Sequence, residues 1–206
     1  MFFAARLCYT ADWKFPEEVE IMEDHKPVRL SRTPRYESNW VSVFTDRVQF
    51  PTGKIVEKFH ILEYSSEAAA AVIENDAGEV LLARVYRYPT DRLEWEIPGG
   101  RIDPGETPIL AGQREALEET GWETSDARLL YTFYPTNGIS SQRFHVIYCR
   151  ASRRVGEFDR DEIQKIRWFT KDEIRKMIAQ NSMVDGFTLT ALLLWMNESP
   201  SANPSN

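Results

Sequence analysis

The sequence predicts an α+β domain: a largely antiparallel β region, then helices and strands in turn. Three observations carry this. Apolar residues recur at a period of two through much of residues 40–88, as strands require. A helix with apolar residues at three- and four-residue spacing opens at Thr107 between clear start and stop signals. Three further apolar strand segments and two more helices follow it.

The elements can be taken in order. Residues 1–38 are mixed, weakly periodic and punctuated by Pro16, Pro27 and Pro34, and they read as an arm or irregular strands. Residues 40–44 and 47–50 alternate, and Pro51-Thr-Gly53 turns the chain. Residues 55–64 alternate again. The runs at 68–73 and 80–88 flank Asn75-Asp-Ala-Gly78, a hairpin signal. Thr107-Pro108 is an N-cap with proline at the first helical position, and Gly121 stops that helix. Residues 129–134, 144–149 and 163–169 read as strands. Thr170 caps a short helix over 171–179. A last helix over 186–196 is apolar nearly all round, which suits a buried position or a subunit contact. The chain therefore divides into an arm (1–38), an N-terminal β region (39–66), a main domain (67–198) and a polar tail (199–206).

Composition narrows the class. With 206 residues, 42% hydrophobic and 28% charged, the chain is not disordered, collagen-like or a small disulfide-stapled domain. A formal charge of -7 argues against binding nucleic acid through its phosphates. No apolar run approaches the roughly 20 residues of a membrane span. The hydrophobic start is interrupted by Arg6 and has no basic region ahead of it, so no signal peptide is expected. Cys8 and Cys149 show no metal-binding or redox spacing, which fits a reduced, cytoplasmic protein.

The chemistry gathers between Glu94 and Trp122. Glu115 and Glu119 are four apart and share a helix face, with Glu118 beside them. Their mutual repulsion costs a few tenths of a kcal/mol per pair. They also lie in the second half of the helix, where the macrodipole disfavours anions. A solvated acidic face is one reading. The other is a cation, and clustered carboxylate oxygens suit Mg²⁺ or Mn²⁺. Before them, Pro98-Gly-Gly100 and Pro104-Gly105-Glu106 make a rigid loop whose backbone can approach an ion or a phosphate closely.

These residues resemble a known pattern. Gly100, Glu106 and Arg114-Glu115-Ala116-Leu117-Glu118-Glu119-Thr120-Gly121-Trp122 match the Nudix box, G-x5-E-x7-R-E-U-x-E-E-x-G-U, at every fixed position. Ala116 and Trp122 stand where bulkier aliphatic residues are frequent. The resemblance implies an α/β/α sandwich around a mixed sheet, and hydrolysis of a nucleoside diphosphate linked to another group. It implies Glu115 and Glu119 as metal ligands, Glu118 as a further ligand or support, and a backbone carbonyl of Gly99 or Gly100 in the same shell. It also implies that Glu106 and Arg114 pair to hold the loop, that Gly121 closes the helix, and that two or more Mg²⁺ ions act. The general base is expected in the acidic loop before residue 163, where Glu162 is the first choice and Asp161 and Asp159 stand behind it; a solvated acidic loop is the alternative.

Within the family the chain looks like the ADP-ribose and nucleotide-sugar pyrophosphatase branch. Val85-Tyr86-Arg87 resembles that branch's Q-Y-R strand end, and Glu94-Trp-Glu96-Ile-Pro-Gly its E-L-P-A-G lead-in. Arg87 and Glu96 are candidate substrate contacts; a structural ion pair between Arg87 and Glu96 is the alternative reading. Residues 40–53 resemble a sheet that swaps across a homodimer. Pro135 stands downstream of the box, a little nearer than the branch's ADP-ribose mark. Trp40 is a candidate to stack on the base, as are Trp13, Tyr36 and Tyr134. His25, His60 and His145 are isolated and take no role. The expectation is a Mg²⁺-dependent diphosphatase giving a nucleoside monophosphate and a sugar phosphate. GDP-mannose, NADH or an oxidised nucleotide are alternative substrates. A non-catalytic ADP-ribose sensor is the alternative of another class, though the chain carries no basic helix-turn-helix.

Overall fold

Three strands come first among the described residues: β1 (Val28–Tyr36), β2 (Val41–Gln49) and β3 (Ile55–Tyr64), hydrogen-bonded in that order. The structure, a computed structural model, describes residues 25–198. The arm reading for residues 1–24 and the tail at 199–206 lie outside them. β1 falls inside the stretch read as an arm or irregular strands, and it is a regular nine-residue strand. Nearly all of its residues are exposed, so it never acquires the apolar alternation that betrays a strand. It is also an edge strand, the place where Pro34 is tolerated.

The chain divides into two units. In the first, residues 25–33 and 45–60, Asp46 is buried and receives Arg32 through two hydrogen bonds of 2.8 Å. That guanidinium holds the Asp46 carboxyl below its ordinary range. The second unit, residues 34–44 and 61–198, carries the larger sheet.

That sheet runs β10 (Ile163–Phe169), β5 (Val80–Arg87), β4 (Ala68–Glu74), β9 (Phe144–Arg154), β8 (Trp122–Phe133). β4 and β9 are parallel, and the other pairs are antiparallel, so the sheet is mixed. β4 meets β5 only at their hairpin. Further along, β6 (Arg92–Glu96) pairs with β5 and β7 (Gly99–Arg101) pairs with β4. β6 and β7 thus enter where the two strands part, and bring the glycine loop into the sheet.

Alternation sorts the core into two faces. Ala70, Val72, Val80, Leu82 and Val146 pack against Ile174 of α2 (Lys171–Ala179) and Ala191, Leu192 and Trp195 of α3 (Gly186–Asn197). Ala69, Ala71, Ile73, Ile147 and Cys149 face Ala111 and Ala116 of α1 (Pro108–Thr120). The result is helix, mixed sheet, helix, as expected. Thr170 and Glu173 complete a capping box on α2, and Asp185 caps α3 through the Thr188 amide.

α1 begins where expected, with the Thr107 hydroxyl accepting from the Leu110 amide. Gly121 ends it at φ 72, its amide bonded to the Leu117 carbonyl at 2.8 Å. A β-carbon there would meet the Gly156 carbonyl oxygen. Gly121→Ala is therefore expected to destabilise the fold by more than the roughly 1–2 kcal/mol of a left-handed alanine alone. An unchanged urea midpoint would show that the backbone accommodates the methyl group.

Candidate active site

Four segments of the second unit converge: the β7 glycines, the second half of α1, the end of β5, and the loop 155–162. The loop is tied to the end of α1 by backbone bonds from Val155 and Gly156 to the Gly121 carbonyl (2.9 and 3.2 Å). Asp159 adds an amide bond to the Glu118 carbonyl at 3.3 Å.

Arg114 is the centre of the box. Its guanidinium donates to both Glu106 oxygens (3.1 and 3.0 Å), to Glu115 (2.7 Å), to Glu118 (3.1 Å) and to the Arg101 carbonyl (2.8 Å). The expected Glu106–Arg114 pair is present, and it binds the loop to the helix. Arg114 holds the Glu106 carboxyl below its ordinary range, and Glu106 foremost stabilises the charged guanidinium in return. The Glu115 carboxylate lies where a β-carbon on Gly100 would sit, so only glycine admits it.

Glu119 differs from its neighbours. Among the described residues its only hydrogen-bond donor is the Gly99 amide, at 3.0 Å. Burial pushes its carboxyl up to about 8, the Gly99 amide opposes this, the charges of Glu115 and Glu162 add to it, and Arg87 opposes it again. Burial likewise raises Glu115. Glu162 thus belongs to the same electrostatic neighbourhood as the box although it is remote from it in sequence. Asp159 is committed to its turn, its carboxylate accepting the Asp161 amide at 2.8 Å.

A divalent cation fits this donor set. The side chains on offer are carboxylates, oxygen donors of the kind that Mg²⁺ and Mn²⁺ prefer. Glu119 is half-buried within reach of the charges of two other acids, a state that an ion would relieve. Among the described residues no three acidic, His or Cys side chains already converge at ligand range. Glu106, Glu115 and Glu118 each turn to Arg114 instead.

A cavity of about 460 Å³ opens beside the glycine loop, within the range of small-molecule sites. Arg87, Glu96, Gly99, Gly100, Arg101 and Asp185 line it. Phe144 and Phe187, stacked at 4.3 Å, line it too. Arg87 pairs with buried Glu96 through three contacts of 2.5–3.1 Å, yet its side chain stays half-exposed at the cavity. Pairing with Glu96 is foremost in stabilising its charge. Both sequence readings of Arg87 are therefore compatible with its position.

Two other candidates lie aside. Trp40 is 67% exposed and does not line the cavity; it reaches it through Arg101, whose guanidinium lies 4.3 Å from its ring. Pro135 lines a neighbouring groove with Tyr134 that shares Asp185 and Phe187 with the cavity. Sequence reasoning missed Arg101, Asp185 and Phe187. Arg101 had a signal, since it follows Gly100 directly in the box. Asp185 had the signature of a helix N-cap. Phe187 had none to separate it from an apolar helix.

Comparison with known proteins supplies an independent line. The model of the NUDIX domain matches residues 65–186. A CMP-5'-(N-acetyl-N-hydroxy-3-aminopropyl)phosphonate hydrolase of Streptomyces rubellomurinus is 30% identical over 77% of this chain and 76% of its own length. An ADP-ribose pyrophosphatase of Bacillus subtilis is 26% identical over 74% of this chain and 83% of its own. Among solved structures, the crystal structure of an ADP compounds hydrolase superposes with a TM-score of 0.74 at 21% identity, covering 83% of this chain and 92% of that one.

Proposed function

The chain belongs to the Nudix family of hydrolases, and from that premise we propose that it hydrolyses the diphosphate bond of ADP-ribose or a related nucleoside diphosphate sugar. Water adds to one phosphorus, the bridging P–O bond breaks, and a nucleoside monophosphate and a sugar phosphate leave. The observation that carries this reading is the half-buried carboxylate pair Glu115 and Glu119 set against Gly99 and Gly100 at the edge of a ligand-sized cavity. The name of the Bacillus relative supports ADP-ribose in particular.

Glu115 and Glu119, with Glu118 and a carbonyl of Gly99 or Gly100, would hold the Mg²⁺ ions, two or more of them. When bound, such ions neutralise the two phosphates and lower the pKa of the attacking water. The chain's own residues do the rest. Arg87 and Arg101 present positive charge along the cavity where a diphosphate would lie. Arg114 keeps the loop and the helix in register. Glu162, on the far loop, removes the proton from the attacking water.

The Streptomyces relative favours a second substrate, a nucleotide joined to a phosphonate. One chromatographic assay with Mg²⁺ separates these: ADP-ribose, GDP-mannose, UDP-glucose, NADH, a nucleoside triphosphate and a CMP-linked phosphonate are offered side by side. AMP released preferentially from ADP-ribose is the expected result. Preference for another compound would keep the chemistry and replace the substrate. Tight ADP-ribose binding without turnover of anything would make the protein a sensor.

A further inference from the structure

A second hollow, of about 660 Å³, lies on the other side of β6. Glu94 lines both hollows, Glu96 only the catalytic cavity and Trp95 only this one, so β6 is their shared wall. Four cations line it: Arg84 from β5, Arg92 from β6, Arg167 from β10 and Lys176 from α2. Two carboxylates accompany them, and each is already matched. Arg92 donates to Glu94 at 2.6 Å, and Arg167 is paired with Glu173.

That leaves Arg84 and Lys176. Among the described residues neither has a carboxylate partner. Arg84 instead lies over the Trp95 ring at 5.3 Å, and that ring stands edge-on to Phe169 at 4.9 Å. Two unmatched positive charges in one hollow of a chain with formal charge -7 are a local inversion of the protein's field. Trp95 holds the Arg84 fork in place without consuming its hydrogen-bond donors. A guanidinium fork presented this way matches phosphate oxygens, and an ammonium supplies a second point charge.

We propose that this hollow is a binding site for a phosphate dianion, free or carried on a monoester, distinct from the catalytic cavity. The dianion matches the two unpaired charges, and Gln180 and Ser182 line the same hollow as polar neighbours. The test is calorimetric titration of the whole chain, without divalent ions, with inorganic phosphate and separately with AMP. Arg84→Ala combined with Lys176→Ala is expected to weaken phosphate binding at least about tenfold, the equivalent of 1.4 kcal/mol. Arg175→Ala, which removes an exposed cation paired with Asp172 outside the hollow, is expected to leave binding unchanged. Should the double variant melt early, Lys176→Gln alone, at an exposed site in the last turn of α2, is expected to weaken binding by a smaller factor. Phosphate binding that survives the double variant, or falls equally in Arg175→Ala, would overturn the proposal. AMP binding tighter than phosphate and lost with the same variants would identify a nucleotide as the ligand; equal binding would identify free phosphate.

Discussion

Glu119→Gln is expected to lower turnover of the nucleotide substrate by about 10³-fold, with the fold intact. A bound cation contributes several kcal/mol of transition-state stabilisation, and each 1.36 kcal/mol is a factor of ten. Glu119 is the box carboxylate most removed from water, and unlike Glu115 and Glu118 it is not bonded to Arg114. Glutamine keeps the shape and can still accept from the Gly99 amide. Linkage fixes the sign of the stability effect. An acid whose folded-state pKa is raised binds its proton more tightly when folded, so it costs stability as pH rises from the ordinary Glu range to about 8. In metal-free protein at pH 7 the variant should therefore melt no lower than the parent. Near-normal turnover would remove Glu119 from the metal-holding set, and early melting would mean that the loss of rate reports unfolding.

How much of this was legible in the sequence depends on whether the signal was local. The α1 caps, Thr107 and Gly121, are local backbone devices and could be read directly. So could β4 and β5 as apolar runs, although their two faces could not, because a strand covered by helices on both sides is apolar throughout and shows no alternation. β1 could not, because an exposed edge strand buries nothing and leaves no pattern. β6 and β7 are too short to show a period, and they exist because β4 and β5 part. The charge partners of Arg114 lie within the box: Glu118 was legible from the four-residue spacing, and Glu106 was implied by the resemblance. Arg87 with Glu96, and Glu162 in the site, were anticipated through the resemblance; spacing alone does not encode them, because they depend on a hairpin and on a loop folding back onto a helix end. The cation-lined hollow was invisible for the same reason: its four charges come from four separate elements.

Glu162→Gln is expected to slow turnover by about 10²–10⁴-fold, the contribution of a positioned general base, while affinity for the divalent ion is largely kept. Three acids in the loop compete for this role, and their surroundings separate them. The Asp159 carboxylate is spent on the Asp161 amide, so Asp159→Asn should disturb the turn more than the chemistry. Asp161 and Glu162 are both exposed and their carboxylates make no hydrogen bond or ion pair among the described residues, but Glu162 acts on Glu119 through its charge. A base near the half-buried acids and free of a partner can take a proton from water placed between them. Unchanged turnover in Glu162→Gln, with the loss found in Asp161→Asn, would move the base one residue back along the loop. If instead metal affinity collapsed in Glu162→Gln along with the rate, the residue would be holding the cation, and the proton would have to leave by another route.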